Sequence, residues 1–157
     1  MTGEQIKNKK ELLMKNSESR EAAFMLVFEK MFTNTSVDDI ITTAYDALEY
    51  DLDESAEELF RNVVANQPVL DEIIGRFSPS RAVSRIEKVA LAVMRIAVYE
   101  CIYTDIPVNI AVSEAVRIAQ IYSLPTEVRL VNGILGSFSR SDEIPAEKRE
   151  KVGKGNK

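Results

Sequence analysis

Any chemistry in this chain has to be done without histidine, because none of its 157 residues is one. That removes Ser-His-Asp and Cys-His nucleophilic catalysis and every His-ligated metal site. The one cysteine, Cys101, has no partner for an internal disulfide, which points to a reducing compartment. It lies in the apolar run Val89 to Tyr103, where a thiol is expected to be a small buried hydrophobe. Ser113 and the other hydroxyls lack a base, and neither Lys30 nor Lys88 has a serine at a spacing suited to lysine-activated attack. No glycine-rich phosphate loop follows a strand, since no segment alternates like one. The expectation is a protein that is not an enzyme, with no cofactor and no metal.

What remains for function is charge, amide and aromatic chemistry. The net charge of −5 is unevenly spread. Residues 1–20 carry Lys7, Lys9, Lys10, Lys15 and Arg20 against three acidic groups. Residues 38–72 carry eleven acidic groups and only Arg61, whereas 76–95 carry Arg76, Arg81, Arg85, Lys88 and Arg95 against Glu87. A basic arm and a basic segment on an acidic body make either a nucleic-acid footprint or a lysine-rich tail beside an ordinary solvated helix face. Arg95 and Glu100 interrupt an otherwise apolar stretch. Five residues apart, they stand about 140° apart on a helix, so each is expected to find its own partner elsewhere. Glu114 and Arg117, three apart, suit an ordinary exposed pair.

Asn132-Gly133 sits inside a helical stretch opened by Pro125. Glycine there costs roughly 1 kcal/mol against alanine, so a neighbouring helix or a ligand should lie against the bare backbone. Under the first alternative Gly133→Ala is expected to destabilise.

The elements that must position these groups read as helices throughout. Apolar content of 45% and charge of 29% are globular values. Residues 1–18 read as a flexible basic arm, 19–140 as the folded domain, and 141–157, with Pro145, Gly153 and Gly155, as a mobile tail. Ser19 is the expected N-cap of a first helix to about Phe32, Ser36 of a second to about Tyr50, and Asp53 of a third through Val64. Pro68 begins a fourth ending near Phe77, and the Ser78-Pro79-Ser80 turn is a possible division between two subdomains. A short turn over Arg81–Arg85 leads to a central helix over 87–104, apolar nearly all round and therefore the expected centre of the bundle. Two more follow over 107–122 and 125–138, each opened by a proline. Ile110, Ala111, Ala115, Ile118 and Ala119 give the first of these a buried stripe. No run matches a membrane span or a signal peptide, so a cytoplasmic location is expected.

Several segments, in order and at compatible spacing, resemble the NusB family of transcription antitermination factors. They are Ser19-Arg-Glu-Ala-Ala-Phe-Met-Leu-Val-Phe-Glu29, Met94-Arg-Ile-Ala-Val-Tyr-Glu100, Ile106-Pro107, Ala111-Val-Ser-Glu-Ala-Val116 and Val131-Asn-Gly-Ile-Leu135. The resemblance covers about residues 19–138. It implies an all-α, single compact helical domain of about seven helices in two subdomains sharing a core. It also implies a non-catalytic role: binding boxA single-stranded RNA as a heterodimer with NusE, a ribosomal protein, and joining the transcription elongation complex to promote processive transcription of ribosomal RNA operons.

By position, the resemblance assigns RNA contact to Lys9, Lys10, Lys15, Arg20, Tyr122, Arg129 and Asn132. Cations for phosphates, a ring for stacking and an amide for base edges suit single-stranded RNA. Tyr122 is either a stacking platform or a half-buried helix end. The NusE face would comprise Phe28, Phe32, Glu87 and Leu91, with Phe28 alternatively in the core. Departures from the family pattern are spread lysines in place of an arginine cluster, Ala90 where an acidic residue is common, Leu130 where an aromatic often stands, and Ser113 for asparagine. Lysine lacks the planar fork that grips phosphate at two points. Other readings are a helical protein–protein adaptor without RNA binding, and a stand-alone RNA-binding module in ribosomal RNA modification. The free protein is either a monomer or a homodimer.

If the arm neutralises phosphates, replacing Lys9, Lys10 and Lys15 with alanine should weaken all RNA sequences alike. The slope of log affinity against log salt should flatten by roughly 0.7 per lost contact, the single-strand value. Filter binding across a salt series measures it, and an unchanged slope would make the arm a solubility segment.

Overall fold

A capping box sets the start of the first helix. Thr2 Oγ1 accepts from the Gln5 amide at 3.1 Å while the Gln5 side chain accepts from the Thr2 amide at 2.8 Å. From there α1 runs unbroken over Gly3–Lys30. The structure, a computed structural model, describes residues 2–47 and 52–149. The expected flexible arm is therefore helical backbone continuous with the first helix. Ser19, the expected N-cap, is a buried interior residue whose Oγ donates to Asp53 Oδ2 at 2.6 Å.

α2 (Val37–Ala47) and α3 (Glu54–Ala65) follow. Both start where side-chain capping predicts. Ser36 Oγ accepts from the Asp39 amide at 3.1 Å, and Asp53 Oδ1 accepts from the Ala56 amide at 2.8 Å. Asp53 thus closes α3 with one oxygen and holds α1 through Ser19 with the other. Ala22 and Ala23 pack closely on Ala56, with Leu52 and Leu59 around them. Phe24, Phe28 and Phe32 form a ladder along α1, with ring centroids 5.9 and 4.9 Å apart.

The described residues divide after Val64 into two compact units, not at the Ser78-Pro79 turn. The second unit holds α4 (Gln67–Arg76), a 3-10 turn (Val83–Arg85), α5 (Lys88–Tyr103), α6 (Val108–Tyr122) and α7 (Pro125–Ser139). α4 belongs here because it packs on α5 and carries Asp71. That carboxylate accepts two hydrogen bonds from the Arg95 guanidinium, of 2.7 and 2.8 Å. Arg95 therefore finds a partner on a neighbouring helix, as its isolation in an apolar stretch predicts. Leu70, Ile73 and Ile74 are buried beside it. Every residue of α5 from Val89 to Cys101 is buried, so its covering has to be nearly complete.

Residues 141–149, read from composition as part of a mobile tail, supply part of that covering. Ile144 is buried, and a helical turn opened by Pro145 carries Lys148 inward. The Lys148 ammonium donates to the carbonyls of Glu100, Cys101 and Ile106 at 3.1, 2.9 and 2.6 Å. These carbonyls lie at the end of α5 and in the turn that follows, and that of Glu100 also accepts from the Thr104 hydroxyl at 2.6 Å. A cation there satisfies them and suits the negative end of the helix dipole. Residues 150–157 lie outside the described part.

Burial pushes the Cys101 thiol up to about 12 from its ordinary 9.0. The folded state holds this proton more tightly than the unfolded chain does. Its contribution to stability is thus present below pH of about 9 and is lost as pH rises towards 12. Cys101 should resist alkylation at pH 8 until the protein is unfolded. Lys148→Met should lower the unfolding free energy in urea by about 2 kcal/mol, since it leaves the Cys101 and Ile106 carbonyls unanswered. It should also expose Cys101 to alkylation at lower urea.

Candidate nucleic-acid and partner surfaces

In the second unit, the end of α6 and the exposed side of α7 carry the accessible polar chemistry. Tyr122 closes α6 with 41% of its surface exposed, and Ile121 and Leu124 beside it are also exposed. The turn that presents Tyr122 is tied down. Ser123 donates from its amide to the Ala119 carbonyl at 2.8 Å and from its hydroxyl to Glu87 Oε2 at 2.9 Å. Glu87 is the N-cap of α5, its carboxylate accepting from the Val89 and Ala90 amides at 3.1 and 3.0 Å. One carboxylate therefore anchors both the start of α5 and the α6–α7 turn. Arg81 holds the start of α7 through Glu127 at 2.9 Å.

Arg129 and Asn132 are exposed, three residues apart on α7 and so on one side of it. Asn132 also lines a groove of about 500 Å³ between α6 and α7. Nothing lies within 4 Å of the position a Cβ would take at Gly133. The expected tight helix–helix contact at Gly133 is absent, because residue 133 faces away from the α7 side that buries Val131, Ile134, Leu135 and Phe138. Of the two alternatives, close packing falls. The sign of the substitution reverses with it.

The basic segment over 76–95 does not form a cationic stripe. Arg76 pairs with Glu72 and Glu143, Arg81 with Glu127, and Arg95 with Asp71. Arg85 and Lys88 are exposed. Burial also corrects several assignments. Arg20 is only 5% exposed and engaged with neighbours, so it offers nothing to a phosphate at the surface. Its place among Ala22, Ala23 and Phe24 on the inward side of α1 is the reason. Leu91 is buried, and Glu87 is half-buried and committed to its capping bonds, so neither presents a free partner face. Ala90 is fully buried, so its position does not face a partner. The Glu114–Arg117 pair forms at 2.7 Å, but Glu114 is buried, unlike an ordinary surface pair.

In the first unit, Phe32 is 61% exposed at the end of the aromatic ladder and Phe28 is half-buried behind it. The side chains of Lys9, Lys10 and Lys15 lie outside the described residues. Among the described residues no group of His, Cys, Asp and Glu is arranged to hold a metal ion, and no helix is long and apolar enough to cross a membrane.

The described residues form an all-α fold, with rings, amides and cations among the groups exposed on its helix faces. The chain belongs to the NusB family, whose model matches residues 17–140. It is 36% identical over 137 residues to the transcription antitermination protein NusB of Acetivibrio thermocellus, covering 84% of this chain and 93% of that one. The protein of the same name from Listeria innocua is 31% identical over 131 residues, covering 83% and 100%. A solved structure of Thermotoga maritima NusB superposes with a TM-score of 0.74 at 28% identity, over 85% of this chain and 96% of that one.

Gly133→Ala should raise stability by roughly 1 kcal/mol, the helix propensity of alanine over glycine at an open site. Urea denaturation measures it. A loss of stability would require a contact at residue 133 that the fold does not show.

Proposed function

We propose that this protein acts in transcription antitermination by binding boxA-type single-stranded RNA together with NusE, supporting processive transcription of ribosomal RNA operons. The observation that carries the reading is the exposed set on α6 and α7. Tyr122 offers a stacking ring, Arg129 a cation and Asn132 an amide that both donates and accepts. Unstacked bases need a ring face and an edge partner, and the phosphates between them need positive charge. The names carried by the relatives support the antitermination role.

With Arg20 inside the fold, the cations proposed for phosphate contact are Arg129 and the lysines of α1: Lys9, Lys10 and Lys15. An acidic body with few accessible cations discourages indiscriminate binding to nucleic acid, so a protein partner that adds contacts fits the charge. For that partner the exposed Phe32, backed by Phe28, is the proposed contact on α1. Phe32 is a large ring held in solvent by a ladder of other rings, which keeps its ordering cost on binding low.

Filter binding of a boxA RNA, with and without NusE, tests the reading. NusE should raise the affinity. Asn132→Ala should weaken boxA binding by about 1–3 kcal/mol, the cost of losing a good base-edge contact, without changing the melting temperature. Phe32→Ala should weaken NusE binding by about 1 kcal/mol or more, as a modest interface anchor does. RNA affinity that ignores both NusE and Asn132 would favour a protein–protein adaptor instead.

A further inference from the structure

The groove between α6 and α7 is not accounted for by helix packing. The inward side of α6 is Ala111, Ala115, Ile118 and Ala119, all buried. Val108, itself buried, begins an apolar stripe that continues at spacings of four through Val112 and Val116 along the edge of that inward side. That stripe floors the groove. Val112 and Val116 are only half-buried. Around the floor stand the amides of Asn109, Gln120 and Asn132, all exposed. Arg117 and Arg140 complete the cationic part of the lining. Arg117 is held by Glu114, whereas the Arg140 guanidinium lies over Gly136, 3.4 Å from where a Cβ would stand.

A flat ring fits such a place better than a peptide helix does. An amphipathic helix needs a long apolar trough, and this floor is three valines long before amides close it. A nucleobase presents an apolar face to the valines, a hydrogen-bonding edge to the amides, and a phosphate to Arg140. Two hydroxyls in the lining sharpen the choice. Ser113 Oγ donates to the Ile110 carbonyl at 3.1 Å and Ser139 Oγ donates to the Gly136 carbonyl at 2.8 Å. Each hydroxyl has used its only hydrogen, so what it offers a ligand is an acceptor. An exocyclic amino group offers two hydrogens to such acceptors; adenine, guanine and cytosine carry one, whereas uracil has only the single N3 hydrogen to give.

We propose that the α6–α7 groove takes one unstacked, amino-bearing nucleobase of the bound RNA, with Asn132 continuing the contact from the outer side of α7 into the groove. This rests on the RNA-binding reading above and assigns it a base-discriminating pocket.

The test uses the full-length protein with NusE and a fluorescent boxA RNA, plus a set of RNAs in which each amino-bearing base is replaced in turn by uridine. Val112→Trp fills the floor, and Asn109→Ala removes a rim amide at an exposed position where the fold does not depend on it. At one RNA position, uridine should weaken binding to the unaltered protein about tenfold, the scale of one base-edge contact. At that position alone, the uridine penalty should vanish in Val112→Trp and shrink in Asn109→Ala. Uridine penalties that remain the same in both variants at every position would overturn the pocket and leave RNA binding intact. An RNA effect independent of base with an effect on NusE affinity would make the groove a protein-docking site and also overturn it. Failure of the unaltered protein to bind boxA RNA at all would overturn the RNA reading itself, and the pocket with it.

Discussion

The second unit depends on burying one helix on every side. α5 has no polar face, so no stable arrangement leaves part of it in water, and its neighbours are arranged by that demand. α4, α6 and α7 pack against it, and the residues after α7 are drawn in as well. The demand is strongest at the two places where α5 is polar. Arg95 would be a buried unpaired charge without Asp71, and removing one member of such a pair leaves the other uncompensated. At the C-terminal end, the Cys101 carbonyl of α5 meets Lys148, and that of Glu100 meets both Lys148 and the Thr104 hydroxyl. Both ends of α5 are thus closed by charge: Glu87 at the positive end and Lys148 at the negative end.

That arrangement also makes the outer faces available. The buried sides of α6 and α7 are committed to the core, and the turn between them is fixed through Ser123 to Glu87. The polar groups on their outer sides are therefore held on rigid elements, with Tyr122 at a helix end whose following turn is bonded twice. A recognition surface built this way loses little conformational freedom on binding. The RNA reading and the base pocket both draw on this rigidity.

Much of the fold was legible in the sequence where local chemistry sets element ends. Pro107 and Pro125 open α6 and α7, and Ser36 and Asp53 cap α2 and α3 where side-chain capping rules put them. The even apolarity of 87–104 marked the buried helix without ambiguity. The errors came where composition was allowed to stand for structure. Lysines at 7–15 suggested an arm, although Thr2 and Gln5 already spelled a capping box. Scattered charges after 141 suggested a tail, and nothing local distinguishes Lys148 from its neighbours; only the carbonyls it meets do so. The candidate site was read less well, because burial decides which members of a motif face out. Arg20 and Leu91 were assigned by position from the family resemblance yet point inward, while Asn132 faces out. Gly133 was expected to need a packed neighbour and has none.

The closure of α5 by Lys148 sets an order on biosynthesis. The ribosome makes α4, α5, α6 and α7 before it makes the residue that answers the open carbonyls at the end of α5. Until Lys148 emerges, a nascent chain holding all four helices still has those carbonyls to hydrate. Docking of the turn that carries Lys148 thus follows synthesis of the helices it closes, coming nine residues after α7 ends. A stalled or clipped chain lacking that turn would carry α6 and α7 on a loosened frame, the kind of locally opened form that proteases cut first.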